Sequence, residues 1–383
     1  MTWAIAAAAA FAAVALALLL WSYIGYPVVL SRLARKARLS APAPDTSSPP
    51  SVEVLVAAFD EEAVIARRVA NVLAQEYAGS LSLAVGCDGC RDATADRARE
   101  AAAADPRVRV AEFETRRGKA SVVNDLVRES SAEILVFTDA NSEFRPDAVA
   151  RLIEPFADPA VGAVCGRLEL LPASGSEPTP ETEFWNRESD LKEAEGRLGV
   201  CLGANGAIYA ARRALVSPLP EGAVLDDFRM AARIARNGRR VVFAGDAIAR
   251  EVVPSDVAAE TSRRFRIGIG AGEVLRTEPS LWNFRRRPFL SLAFVSRKAA
   301  RWLAPLAAFA ALACALAVPS LRPWAAAALV LLGLLAASVR LRPRPSGWAG
   351  RLYYFGVINL ALAAGVIAGL AGYRRPAWKR TPR

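Results

Sequence analysis

The sequence predicts an α/β fold: a doubly wound, mostly parallel sheet with helices on both faces, and transmembrane helices at both ends of the chain. Three observations predict it. Strand-like and helix-like stretches alternate from Val52 to Leu170. Acidic residues recur just past the strand-like stretches, where open parallel sheets place ligands. Hydrophobic residues make up 53% of the 383 positions, and the long apolar runs lie outside the alternating region.

The first element, Trp3 to Ile24, is apolar over roughly the 20 residues that a spanning helix needs. No basic residue precedes it and no small-residue cleavage site follows before Arg32, so residues 1–30 read as an uncleaved anchor rather than a signal peptide. Arg32, Arg35, Lys36 and Arg38 come next, which by the positive-inside rule puts the following region in the cytoplasm. Residues 31–51 are a basic, Pro-rich linker carrying Pro42, Pro44, Pro49 and Pro50.

The soluble domain is expected over residues 52–272. Val52 to Ala57 reads as a strand, Val64 to Leu73 as a helix, Leu81 to Cys87 as a strand followed by a helix through Ala104, and Val108 to Phe113 as a strand. Lys119 to Glu129 is helical, Ile134 to Phe137 is a strand apolar on both faces that runs into Asp139, Pro146 opens a helix, and a strand lies near Val161 to Leu170. Further on, Thr182 to Arg197 is a charged helix with Phe184, Trp185 and Leu191 as packing candidates. Leu225-Asp226-Asp227 opens a helix that stops at Asn237-Gly238, and Val241 to Ala244 is a strand.

Residues 273–302 mix Trp, Phe and Leu with Arg and Lys, which suits an amphipathic segment in the membrane interface. Residues 303–372 hold the apolar runs Leu303 to Val318, Trp324 to Val339 and Leu352 to Leu370, and residues 373–383 are a basic tail. Arg340, Arg342, Arg344 and Arg351 mark a second inside loop. Four spans would leave the tail outside, against the positive-inside rule; three spans, with one short segment lying in the interface or re-entering, would not.

Composition excludes several chemistries. With no histidine, His-based general base catalysis, Ser-His-Asp triads and most zinc sites are ruled out. The net charge of +11 comes from basic residues beside apolar segments, so membrane lipids and not nucleic acid are the expected partners. Cys87 and Cys90 form a C-x-x-C pair, but Cys165 and Cys201 are isolated and Cys314 is in an apolar run, which leaves a zinc site short of ligands.

The remaining chemistry belongs to carboxylates. Asp60, Asp88 and Asp139 each follow a strand, and Asp226 and Asp227 open a helix. Because strand ends gather along one edge of a doubly wound sheet, these residues can meet in one cleft. A nucleoside diphosphate with Mg²⁺ or Mn²⁺ would use them: one to hold base or ribose, one the metal, one to deprotonate an acceptor. Asp139 and the amide oxygen of Asn141 are the candidate metal ligands, while Gly118-Lys119 at a helix start offers donors to phosphate. Taken singly, each also reads as a turn or a cap.

Together these stretches resemble the family 2 glycosyltransferases, of the membrane-attached kind that includes cellulose, hyaluronan and poly-N-acetylglucosamine synthases. The resemblance covers roughly Val52 to Gly272 and implies a GT-A type fold. Phe59-Asp60-Glu61-Glu62 resembles the opening segment that contacts the nucleotide base, with Asp60 where Asn is commoner. Cys87-Asp88-Gly89-Cys90-Arg91-Asp92 is similar to the nucleotide-binding Asp-Gly-Ser-x-Asp. Arg117-Gly118-Lys119 with Asn124 resembles the segment approaching the diphosphate, and Asp139-Ala140-Asn141 the metal-binding Asp-x-Asp with its second Asp replaced. Gly203-Ala204-Asn205-Gly206 resembles the acceptor loop and Leu225-Asp226-Asp227 the Thr-Glu-Asp segment, which implies Asp227 as the base and Asp226 as second choice.

Where processive synthases have Gln-x-x-Arg-Trp, this chain has Arg263-Arg264-Phe265-Arg266-Ile267, so Arg266 alone matches and long-chain processivity is not expected. Arg263 and Arg266 are implied in binding diphosphate or acceptor. The resemblance implies inverting, metal-dependent transfer from a nucleotide diphosphate sugar, UDP-linked, to a lipid-linked or saccharide acceptor at the cytoplasmic face of the plasma membrane. Two other classes stay open. The altered motifs also suit a non-catalytic nucleotide-binding subunit of an envelope polysaccharide assembly. A transporter would need charged residues inside the expected spans, which hold none.

Overall fold

The computed structural model describes residues 2–37, 48–171, 180–252, 257–338 and 347–373. Most of the Pro-rich linker, Arg38, the side chain of Phe184, the basic loop at Arg340, Arg342 and Arg344, and the basic tail lie outside the described residues. The chain divides into two compact units: Leu30–Val253, which carries the sheet, and the apolar residues before and after it.

Helix α1 (Thr2–Leu20), a π-helical turn at Trp21–Gly25 and α2 (Tyr26–Lys36) follow without a break. The sheet unit then runs β1 (Val52–Ala58), α3 (Ile65–Leu73), β2 (Leu81–Asp88), α4 (Thr94–Ala102), β3 (Val108–Phe113), α5 (Lys119–Glu129), β4 (Ile134–Asp139) and β5 (Glu143–Phe144). It continues with α6 (Ala148–Ile153), β6 (Val161–Leu171), α7 (Pro180–Arg197), β7 (Tyr209–Arg212), α8 (Asp226–Arg236) and β8 (Arg240–Val252). The eight strands form one sheet in the order β3-β2-β1-β4-β7-β6-β8-β5. β1, β2, β3 and β4 are mutually parallel, as are β6 and β8.

Alternate residues of the parallel strands are buried on opposite faces. Val54, Val56, Leu83, Val85 and Val136 join a core shared with α3, α4 and α6. On the other face α5 packs so closely over β2 that a Cβ on Gly86 would lie 2.4 Å from Val122 Cγ1. Helices on both faces explain why these strands read as continuous apolar runs instead of alternating ones.

Two features of the sheet were not legible in the sequence. β7 runs antiparallel to both β4 and β6. Its four residues, Tyr-Ala-Ala-Arg, carry no alternation, since both of its faces are covered. β8 extends well beyond the expected Val241 to Ala244, because the register slips between Gly166 and Arg167 and pairing resumes from Ile248 after a bulge.

The apolar unit adds α9 (Val257–Thr277), a 3₁₀ turn at Pro279–Trp282, α10 (Pro288–Ala293), a π turn at Phe294–Ala299, α11 (Ala300–Leu316), α12 (Arg322–Ser338) and α13 (Gly347–Leu370). Among the described residues two helices are long and apolar enough to cross a membrane: Ile5–Lys36, mean hydropathy 2.3, and Pro288–Leu316, mean hydropathy 1.6. Arg322–Leu334 and Phe355–Leu370 are shorter apolar helices. The boundary expected at 302/303 falls inside the continuous Pro288–Leu316 helix, and that helix carries Arg297, Lys298 and Arg301. These three lie ahead of the run Leu303 to Val318, which holds no charged residue.

Those polar groups have local partners. Trp21 Nε1 donates to Ser296 Oγ at 2.8 Å, Arg301 Nε donates to Ser22 Oγ at 3.0 Å, and the Arg301 guanidinium lies 4.5 Å from the Tyr23 ring centre. Trp21, Ser22 and Tyr23 lie in one π turn and Ser296 in the other. α9 packs against α13 through glycines: a Cβ on Gly268 would fall 2.3 Å from the Leu362 carbonyl oxygen, and one on Gly365 would fall 2.2 Å from that of Phe265.

Candidate active site

Strand direction decides which residues meet. β1, β2 and β4 run in register, with Ala57 beside both Gly86 and Asp139, so their carboxyl ends form one edge. Asp88 ends β2, Asp139 ends β4, and Asp60 lies just past β1. Because β7 is antiparallel to β4 and pairs Tyr209 with Phe137, it begins where β4 ends. That reversal carries the 203–206 loop to Asp139. A Cβ on Gly206 would sit 3.3 Å from Asp139 Oδ2 and 3.6 Å from Lys119 Nζ, so glycine leaves the face of this carboxylate open.

Lys119 joins the carboxylates. Its Nζ donates to Asp139 Oδ1 at 2.7 Å and lies 3.6 Å from Asp226 Oδ2. Burial pulls the ammonium pKa down, but Asp139, Asp226 and Asp227 outweigh it and hold the pKa above its ordinary value, so the group stays charged. Asp226 and Asp227 are the first two residues of α8, set there by Leu225 in the left-handed conformation at φ 61°. A branched side chain is rare in that region and persists where surroundings enforce it. The Phe228 N–H donates to Asp227 Oδ1 at 2.7 Å. Beneath them the buried Tyr209 ring stacks on Phe137 with centroids 4.6 Å apart; burial, then Asp226, Asp227 and Asp139, push its phenol pKa well up.

Asp88 acts on the backbone. Its two oxygens accept from the Arg117 and Gly118 N–H groups, each at 2.8 Å, and Gly118 holds φ 91°, which requires glycine. The turn that launches α5, and hence Lys119, is therefore fixed by β2. Asp88→Asn keeps only one acceptor for these two donors and should lower stability by about 2 kcal/mol. The check is a lower unfolding temperature of the purified chain. Asn124 exchanges hydrogen bonds with the Leu219 main chain, both at 2.9 Å, so it anchors the loop leading to α8.

The other expected residues are dispersed around this centre. Asp60, at φ 52°, accepts from Arg91 N–H at 2.8 Å, and the Glu61 N–H donates to Thr94 Oγ1 at 2.8 Å. Asp60, Cys90 and Asp92 bring ligand atoms within 4.8 Å of one another, but Asp92 already accepts from Thr94 and Glu62 N–H groups, so the cluster closes the loops after β1 and β2. Asn141 lines a shallow recess with Arg67, Arg68, Asn71 and Glu143. Asn205 is buried, accepts from Lys192 Nζ and donates to the Gly166 carbonyl at 3.2 Å, while the Gly203 carbonyl lies 3.6 Å from Cys165 Sγ. Arg263 and Arg266 belong to α9 in the apolar unit, where Arg263 pairs with Glu260 at 3.4 Å.

Against known proteins, residues 49–270 match the model of the glycosyltransferase like family 2, more than half of the chain. The chain belongs to that family. Its relatives include an N-acetylglucosaminyltransferase of Sinorhizobium fredii, 26% identical over 64% of this chain and 63% of that protein. Another N-acetylglucosaminyltransferase, from Rhizobium meliloti, is 27% identical over 65% of this chain and 62% of its own length. The match thus spans somewhat less than two thirds of these curated relatives. Among solved structures, a mannosyltransferase of Pyrobaculum calidifontis in complex with GDP-Man and Mn²⁺ is similar at 25% identity and a TM-score of 0.66, covering 94% of this chain and 99% of that one. The sheet of this family 2 chain is thus a GT-A type fold, mixed through β7 and the edge strand β5.

Three residues of the family 2 domain were missed by sequence reasoning. Arg68 is buried, donates to Thr138 Oγ1 at 2.9 Å and lies 4.0 Å from the Phe144 ring centre; Thr138 in turn donates to the Ala207 carbonyl at 2.7 Å. This chain of contacts ties the end of β4 to the loop before β7. A basic residue within the buried stripe Ile65, Arg68, Val69, Val72 of α3 was the available signal. Lys192 left none, because the buried polar face of α7, with Glu188, Ser189 and Glu195, has the composition of a solvated one. Tyr209 was hidden by the unrecognised strand β7.

Proposed function

We propose that the chain is a membrane-attached, inverting glycosyltransferase that moves a sugar from a nucleotide diphosphate donor, UDP-linked, to a lipid-linked or saccharide acceptor on the cytoplasmic side of the membrane. The observation that carries the reading is the single edge on which Lys119 links Asp139 to Asp226, next to Gly206. The curated relatives are named N-acetylglucosaminyltransferases, which makes UDP-N-acetylglucosamine the first donor to test. GDP-mannose is the second, since the similar mannosyltransferase structure holds GDP-Man.

In the proposed reaction Asp227 accepts the proton of the acceptor hydroxyl as that oxygen attacks the anomeric carbon. The bond from that carbon to the diphosphate oxygen breaks, the electron pair leaves with the nucleoside diphosphate, and configuration inverts. Asp226 is paired with Lys119, and the Lys119 ammonium faces the charge that gathers on the leaving group. The Asp88-fixed turn at 117–118 presents this lysine, and Asp60 with Glu61 edges the nucleotide pocket after β1. Arg263 and Arg266 are assigned to acceptor or diphosphate from the motif. The donor that suits Mg²⁺ or Mn²⁺ is a single carboxylate oxygen: Lys119 Nζ takes Asp139 Oδ1, while Oδ2 lies on the side where Gly206 carries no side chain. Such an ion, held by Asp139 with Asn141 as the proposed second ligand, would supply Lewis-acid charge to the diphosphate.

Release of nucleoside diphosphate by the detergent-purified chain, screened over UDP-sugars and GDP-mannose with divalent metal or chelator, tests the proposal. Metal-dependent release from UDP-N-acetylglucosamine is expected; no release from any donor, with nucleotide still bound, would favour the non-catalytic subunit. Asp139→Ala should weaken metal-dependent nucleotide binding about tenfold in calorimetry, the worth of one charge-assisted contact. Unchanged affinity in Mg²⁺ or Mn²⁺ would remove Asp139 from the metal site.

A further inference from the structure

Between the 3₁₀ turn at Pro279–Trp282 and α10 the chain carries Trp282-Asn283-Phe284-Arg285-Arg286-Arg287-Pro288-Phe289, and every one of these residues is exposed. Trp282, Phe284 and Phe289 are 38%, 47% and 49% exposed, large aromatic faces left open beside three adjacent cations. Among the described residues none of the three guanidiniums has a carboxylate partner. Like charges so close repel one another, and exposed aromatics beside them are poorly served by water alone.

The segment is nevertheless firmly built. Leu281 and Leu290 at its two ends are 1% and 2% exposed, Asn283 accepts from the Arg286 N–H at 3.1 Å through its side chain, and the Arg287 carbonyl accepts from the Ser291 N–H at 2.9 Å. Trp282 meets Phe294 edge-on at 5.3 Å, and Phe294 meets Trp302 at 6.0 Å. The turn is therefore held by its own aromatic ladder at the first residue of the long apolar helix Pro288–Leu316.

We propose that this turn is a docking surface for the headgroups of anionic phospholipids, with Arg285, Arg286 and Arg287 meeting lipid phosphates while Phe284 and Phe289 enter the headgroup boundary. Charge complementarity selects the occupant: three guanidiniums without a carboxylate partner among the described residues, groups that bind phosphate bidentately, and aromatic rings of the kind enriched at the level of headgroups. Its place at the start of the apolar helix sets the depth. The inference rests on the membrane placement proposed above, and goes beyond it by naming the lipid class and the residues that read it.

The test uses the full chain in a neutral detergent, titrated with phosphatidylglycerol or phosphatidylcholine in mixed micelles, reading the unfolding temperature and the lipid retained in native mass spectrometry. Phosphatidylglycerol should raise the unfolding temperature and be retained, phosphatidylcholine should do neither, and Arg285→Gln with Arg286→Gln and Arg287→Gln should weaken the anionic response about a hundredfold. Each basic residue near an anionic surface is worth about fivefold. Nucleotide binding and unfolding temperature without lipid should not change in that variant. A matched variant at exposed arginines of the sheet unit, Arg97→Gln, Arg128→Gln and Arg151→Gln, should keep the full response. Equal responses from wild type and the 285–287 variant would overturn the proposal, as would an equal effect of soluble glycerol phosphate, which would mark a plain phosphate site. None of these readouts requires sugar transfer. A chain that stays monodisperse without detergent would instead refute the membrane placement itself.

Discussion

Asp227→Asn should reduce sugar transfer about a thousandfold while leaving nucleotide affinity within about twofold, since a positioned general base contributes roughly a hundredfold to ten-thousandfold. The amide is nearly isosteric and can still accept from the Phe228 N–H, so the start of α8 should hold. What disappears is a group able to take a proton. The neighbouring Asp226 is already engaged as an ion-pair partner of Lys119, whose Nζ stands 3.6 Å from its carboxylate. With no histidine in the chain, no imidazole can step in either. Initial rates of nucleoside diphosphate release and calorimetric binding of UDP, run on the same preparation, separate the two effects. Full turnover by the variant would move the base elsewhere, and Asp226→Asn would then be the next variant to assay.

The contrast between these adjacent carboxylates also shows what the sequence could and could not convey. Asp139 was legible because five strand-forming residues run straight into it, and the parallel order that gathers strand ends along one edge follows from helix and strand alternation alone. The arrival of Gly206 beside Asp139 was not, because it depends on the direction of β7, and a four-residue strand covered on both faces has no periodicity to read. Lys119 was legible as the first residue of a helix. Its bridge between Asp139 and Asp226 was not, since that requires α5 and α8 to converge across residues far apart in sequence. Asp88 was placed correctly at a strand end, yet both its oxygens face the backbone at 117–118, a detail that only geometry supplies.

A second large effect is expected far from these carboxylates. Gly365→Leu should destabilise the apolar unit by more than about 3 kcal/mol, the upper range for overpacking a well-filled interior, and should broaden or abolish its monodisperse peak in detergent. At this position even a single added carbon would fall 2.2 Å from the Phe265 carbonyl oxygen and 2.9 Å from Gly268 Cα, and neither is a side chain that could swing away. The crowding repeats one turn on, where a Cβ on Gly369 would meet the Ile269 carbonyl at 2.2 Å and one on Gly272 the Val366 carbonyl at 2.3 Å. Two Gly-x-x-x-Gly faces thus let α9 and α13 approach backbone to backbone. Glycine Cα–H groups pointing at carbonyl oxygens add weak hydrogen bonds to that contact. Gly333 of α12 is the matched control: nothing lies within 4 Å of its would-be Cβ, so Gly333→Leu should leave both peak and unfolding temperature unchanged. A Gly365→Leu protein as stable as Gly333→Leu would mean that the two helices do not pack as described.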